Sequence, residues 1–309
     1  MGTSPFALVM TLLAAVPSMA EPSAMTQAAF EDVLLSRDVA ELQQGCRVAL
    51  TDGMHERLQL VRDRLLTLDP RPQSIDEVFA TAKALMVCRS PESALLVLNR
   101  WSPSAGEERR RWLLMAWQAA DAAQDHPRAA LMLRRLVNGN LQALEGEELV
   151  EAGHGAAPSQ LVKVNALERL AHHEASAGDH LSAAAVLLAG RETGAVAARR
   201  LGMAADLLAQ EDPAQADALL ELALDQAAAD QAWSLAVDLL RLQLRLQLAA
   251  GGDGLRPRER LERLTFRLDD RYSLWTLQEG DVELDRSLRS PRAPGGHAAV
   301  EEPSVEALP

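Results

Sequence analysis

Four stretches of this chain repeat one short pattern, and that repetition constrains the fold more than any other feature. A cap-forming residue (Ser90, Asp125, Asp179 or Asp212) follows a tight turn, and Pro or His comes next, as Pro91, His126, His180 and Pro213. Proline at the first helical position sacrifices nothing, because its missing N–H has no intrahelical partner there. Four residues after each cap stands alanine, at Ala94, Ala129, Ala183 and Ala216, and four further on stands leucine, at Leu98, Leu133, Leu187 and Leu220. Upstream of each lies a partner segment marked by Ala82 and Leu85, Trp117 and Ala120, Ala171 and Glu174, or Ala204 and Leu207. Two helices cross closely only where side chains are small, and leucine then fills the neighbouring groove.

The alanine-to-alanine spacings are 35, 54 and 33 residues. Two of these equal one helix pair with its turns. The long one leaves room for an insertion at 141–160, rich in Gly and Glu, read as a short helix followed by a loop. With this pattern the chain resembles the tetratricopeptide repeat family, which stacks helix pairs of about 34 residues. The segments "HHEASAGDHLSAAAVLL" (172–188) and "AADLLAQEDPAQADALLELA" (204–223) carry the likeness best. It spans Ser74 to Gln226. It departs from the family at the first-helix tyrosine, replaced by Leu85, Ala120, Glu174 and Leu207, and at Trp117, which stands where the family has a small residue. The terminal proline of each repeat is absent. The resemblance implies an all-α fold, a superhelix of helical-hairpin repeats: a TPR-like solenoid.

Composition agrees. Ala and Leu fill about a third of the chain while aromatics are 3%, which favours helices and excludes an all-β fold. Helical spacing continues on both sides of the repeats. Two helices are expected in Glu31–Leu68 around Asp52-Gly53, one in Asp230–Ala249, and an Arg-rich capping helix in Leu255–Leu277. Turns fall at Thr51–Gly53, Asp69–Pro72, Ser102–Ser104, Gly139-Asn140 and Ala250–Gly252. Ser74 with Glu77 and Ser104 with Glu107 read as capping boxes. The expected organisation is a signal peptide (1–20), N-terminal helices (21–73), repeats (74–226), capping helices (227–289) and a disordered tail (290–309).

Residues 1–20 carry no charge and hold an apolar run, Phe6 to Val16, with small residues Ser18 and Ala20 before Glu21. That suits signal-peptidase cleavage after Ala20, although the usual basic n-region is missing. Export to the periplasm or an equivalent lumen is therefore expected, with no stable membrane span after cleavage. A cytoplasmic protein with a buried apolar first helix is the alternative. The two cysteines, Cys46 and Cys88, lack metal or redox spacing. They read as core thiols, with pairing open in an oxidising compartment.

The formal charge is −13, and Lys83 and Lys163 are the only lysines, so nucleic acid is not the expected partner. An RNA-binding helical repeat is the reading that this charge opposes. No phosphate-binding glycine motif or nucleophile elbow is present. His172-His173-Glu174 has Ala177 where a zincin needs its second histidine, so neither metal nor cofactor is expected, and these side chains read as the lining of a groove. Glu92-Ser93 is similar to the start of the lytic transglycosylase catalytic motif, but falls inside a repeat helix. Trp101, Trp112 and Trp117 read as fillers of inter-helix space.

The expected function is non-enzymatic. A scaffold or adaptor would hold another protein, as a peptide or helix, in the concave surface of the superhelix, in assembly of an envelope or membrane complex. The family geometry implies groove positions Phe79, Lys83 and Met86, then Arg111, Leu114, Met115 and Gln118, then Asn165, Arg169 and His172, and finally Leu201 and Leu208. Lys83, Arg111 and Arg169 would meet a partner's carboxylates. The alternatives are a murein-acting enzyme or its accessory helical domain, and a structural subunit of a membrane-bound assembly.

Overall fold

The computed structural model describes residues 25–68, 74–152, 161–270, 272–274 and 277. The expected signal peptide, the turn at Asp69–Pro72, residues 278–289 and the tail lie outside them. The described residues are all-α but for one two-stranded hairpin, and fall into two compact units, 1–112 and 113–309.

The first unit contains α1 (Gln27–Leu35), α2 (Val39–Thr51), α3 (His55–Thr67), α4 (Ile75–Val87), α5 (Pro91–Leu98) and the start of α6 (Glu107–Ala122). Among the described residues three helices, not two, precede Ser74, because Ser36 and Asp38 break the run and Asp38 caps α2 by accepting from Ala40 N at 2.8 Å. Leu42, Leu58, Val61, Leu65, Val78, Leu85 and Leu98 form the core. At Gly45 the packing of α1 on α2 is so close that a Cβ would come within 2.8 Å of Val33 Cγ1. Cys46 and Cys88 are both fully buried and form a disulfide, with Cα atoms 5.1 Å apart. The expectation of free core thiols is thus corrected: α2 and the end of α4 lie close enough to bond.

Arginines of α3 tie down neighbouring helix ends. Arg62 donates to the carbonyls of Cys88 (2.8 Å) and Arg89 (3.0 Å), and Arg64 donates to that of Ser36. Terminal carbonyls have no intrahelical partner and carry partial negative charge, so guanidinium groups suit them. Ser74 and Glu77 make the expected capping box. Ser104 does not: α6 starts at Glu107, and the Ser104 hydroxyl donates to Glu108 instead.

The second unit contains the rest of α6, α7 (His126–Leu136), a 3-10 turn (Leu141–Gly146), β1 (Glu148–Ala152), β2 (Leu161–Asn165), α8 (Ala166–Ser176), α9 (His180–Leu188), α10 (Ala195–Leu208), α11 (Pro213–Ala229), α12 (Trp233–Ala249) and α13 (Leu255–Arg267). The insertion is therefore a 3-10 turn and an antiparallel hairpin, with Glu148 opposite Asn165 and Val150 opposite Lys163. The alternation around Leu149, which is buried between exposed Glu148 and Val150, has the strand period.

The four caps stand where the repeat puts them. Asp125, Asp179 and Asp212 each accept from the backbone N–H three residues on, and Ser90 precedes α5 with its hydroxyl on Ser93. The four alanines and four leucines of the pattern are all at most 2% exposed. Arg200, 3% exposed, gathers Glu145 of the 3-10 turn, Glu168 of α8 (3.1 Å) and Glu192 of the following loop (3.6 Å). Gly202 lets α10 approach α12, since a Cβ there would lie 2.5 Å from Leu239 Cδ2. At the far end, Gln243 of α12 donates to Asp217 and Glu221 of α11, and Glu221 also receives Arg256 and Arg260 of α13. Those two arginines thus face a neighbouring helix rather than solvent alone.

Candidate functional site

Two places gather the residues singled out from the sequence, one in each unit. In the first unit, α4 presents Phe79 and Lys83 one turn apart, and Arg111 comes from the first turn of α6. All three line one cleft of about 400 Å³, together with Val39, Gln43 and Asp76. The Arg111 guanidinium lies 5.1 Å from the Phe79 ring centroid and donates to Asp76 Oδ1 at 2.9 Å. A cation over a ring face, anchored by a carboxylate, is held in one orientation with donors to spare. Phe79 is buried as the cleft's apolar floor, whereas Lys83 is exposed, without a hydrogen bond or ion pair among the described residues. Met86, half-buried, stands one turn beyond Lys83.

Sequence reasoning missed the α2 side of this cleft, because the family geometry places the groove on first helices only. The Asp38 cap was the available signal: it sets where α2 begins and so aims Val39 and Gln43.

In the second unit, α6, α7 and α8 enclose a polar cluster. Arg169 donates to Asp121 at 2.9 Å, and His172 sits edge-on to His126 with ring centroids 5.9 Å apart. Trp117 Nε1, which can only donate, lies 3.1 Å from His173 Nε2. The His173 proton therefore sits on Nδ1, which donates to His126 Nδ1 at 3.1 Å. His173 is fully buried, not the groove-lining residue expected, because its position faces Trp117 rather than solvent. Burial, aided by the charge of Arg169 and by the two neighbouring histidines, lowers its pKa to about 3. The ring is neutral at pH 7, so Asp121, 3.8 Å from Nε2, makes no ion pair with it. Burial likewise lowers His172, with Arg169 adding to the effect. Glu174 is pushed up by burial against the pull of Arg134, which bonds it at 2.6 Å.

Both ring nitrogens of His173 are spent on Trp117 and His126, which leaves neither free for a ligand. No group of three His, Cys, Asp or Glu side chains among the described residues is arranged to hold a metal ion.

The remaining sequence-derived positions are scattered. Leu114 is half-buried, Met115 buried, and Gln118 donates weakly to Val150 O at 3.4 Å. Asn165 is the N-cap of α8, accepting from Leu167 and Glu168 and donating to Glu145 O at 2.8 Å, so its polar atoms are engaged. Leu208 is buried and Leu201 half-buried. Trp117 fills the core, while Trp101 and Trp112 are half-buried, with indole N–H groups on Glu108 and Leu98 O. Among the described residues no helix is long and apolar enough to cross a membrane. No protein-family model and no curated protein sequence matches the chain.

Proposed function

We propose that this chain is a non-enzymatic scaffold of TPR-like helical-hairpin repeats, exported from the cytoplasm, that holds another protein during assembly of an envelope complex. The observation that carries the reading is the cleft of Phe79, Lys83 and Arg111, which combines an apolar floor, an anchored guanidinium and an unpaired ammonium. Recognition sites for peptides have this make-up of a desolvated anchor beside a few placed donors. The repeat reading is supported within the second unit, where the pairs α8–α9, α10–α11 and α12–α13 follow one another and α10 packs on α12. Export is supported by the Cys46–Cys88 disulfide, a bond that persists in oxidising compartments.

The test is crosslinking in the native cell, capture of the full chain and mass spectrometry, with Lys83→Glu/Arg111→Ala beside the unaltered protein. A partner recovered with the unaltered chain and lost with the variant supports the reading. Equal recovery places the partner elsewhere and overturns it. Edman sequencing of the native protein tests export: Glu21 is the expected first residue, and an intact Met1 overturns that part.

A further inference from the structure

We infer that the partner segment held by the first unit is an acidic extended peptide, and that a second, larger cleft beside the first receives its carboxylates. This rests on the scaffold reading and names the chemistry of its ligand. The second cleft measures about 650 Å³ and brings together Arg37 from the turn before α2, Arg64 from α3 and Arg100 from just after α5. Asp38, Val39 and Ala80 line both clefts, so the two adjoin along α4. An elongated site of this kind fits an extended chain better than a compact small molecule.

The charges in it are not balanced. Arg64 donates to Ser36 O at 3.1 Å, and Arg100 to Leu66 O at 3.2 Å. These acceptors are neutral carbonyls, so both guanidinium groups keep their full charge and several donors. Arg37 is exposed and has no hydrogen bond or ion pair among the described residues, and the same holds for Lys83 at the other end. The acids nearby also hold backbone N–H groups: Asp38 caps α2, and Glu77 accepts from Ser74 N at 3.0 Å. Asp76 answers Arg111. Across the two clefts five cations (Arg37, Arg64, Lys83, Arg100 and Arg111) stand against three carboxylates (Asp38, Asp76 and Glu77), so the strip is net positive in a chain whose formal charge is −13. A strip of that sign attracts anionic segments. Its walls are apolar at Val39, Leu65 and Val97, which suits side chains that alternate with the acids.

The test is fluorescence anisotropy of the full chain with three labelled peptides of equal length, alternating Leu with Glu, with Lys or with Gln. The Glu peptide is expected to bind, to weaken as salt is raised, and to weaken by roughly tenfold in Arg37→Ala/Arg100→Ala. Arg37 has no partner among the described residues, so Arg37→Ala alone, expected to weaken binding by roughly threefold with an unchanged melting curve, separates binding from folding. The inference is overturned if the Gln or Lys peptide binds as tightly as the Glu peptide, or if the arginine variants bind it unchanged. A Gln peptide bound without charge dependence and lost in Lys83→Glu/Arg111→Ala would sink the acidic-ligand inference alone. Binding of none of the three would remove the peptide-scaffold reading with it.

Discussion

Acidification below neutral pH destabilises the second unit, and His173 supplies an identifiable share of the loss. The imidazole has an ordinary pKa of 6.5 and a folded value of about 3. The sign follows from which state holds the proton. Between those values the unfolded chain binds a proton that the folded chain refuses, so stability is complete above about pH 6.5 and falls as pH drops through the window. At about pH 5 the unfolded histidine is almost fully protonated and the native one is not, a difference of about 2 kcal/mol, rising to about 4 kcal/mol near pH 3. Burial is the main cause, because a fully enclosed ring cannot hydrate its charge, and Arg169 opposes a second cation beside it. The measurement is a series of urea titrations from about pH 7.5 to pH 5 on the full chain and on His173→Gln. Glutamine can accept from Trp117 and donate to His126, so it keeps the bonds and removes the titration. The variant is expected to lose about 2 kcal/mol less than the parent over that range, because carboxylate contributions are common to both and cancel. Parallel profiles would mean that His173 takes up a proton in the folded state, and the argument from burial would be refuted.

Three further outcomes follow from other contacts. Arg200→Met leaves Glu145 and Glu168 near each other without their cation, and should cost about 3–5 kcal/mol in a urea titration, whereas Leu181→Ala, an exposed position, should cost little. Breaking the Cys46–Cys88 bond opens a constraint of sequence separation 42 and should lower stability of the first unit by about 4 kcal/mol, read as the difference between Cys46→Ala/Cys88→Ala and the oxidised parent. Thiol titration of the native protein in denaturant without reductant should find no free cysteine. Gln231, at φ 56° just past the end of α11, holds a left-handed conformation that costs a side-chain-bearing residue about 1–2 kcal/mol, so Gln231→Gly should raise the urea midpoint.

What the sequence made legible is what local physics decides. A cap, a following proline and an alanine four residues on are consequences of one helix turn meeting one neighbour, so Asp125, Asp179 and Asp212 could be placed as caps without knowledge of the fold. Asp38 obeyed the same rule but lay outside the repeat, and the break between α1 and α2 went unseen with it. The hairpin was hidden for a different reason. Its strands are five residues each, too short for an alternation to stand out in a chain dominated by Ala and Leu spacing, and their pairing along the whole length, from Glu148–Asn165 to Ala152–Leu161, stabilises them.

The candidate site divides along the same line. Phe79 and Lys83 share a helix face, so helical spacing alone brings them together. Arg111, by contrast, joins them through Asp76, 35 residues earlier, and Arg37, Arg64 and Arg100 meet only after three helices have packed. Charge decides this surface, and local charge balance is invisible in a total that does not say where the charges gather. Asp38, Asp76 and Glu77 lie among Arg37, Arg64, Lys83, Arg100 and Arg111, and the cations outnumber them. A chain can thus be strongly acidic overall and still carry a strip that attracts acids. The same principle explains why His172-His173-Glu174 misleads as a motif: three polar residues in a row point to three different surroundings on a helix, and only His172 faces solvent.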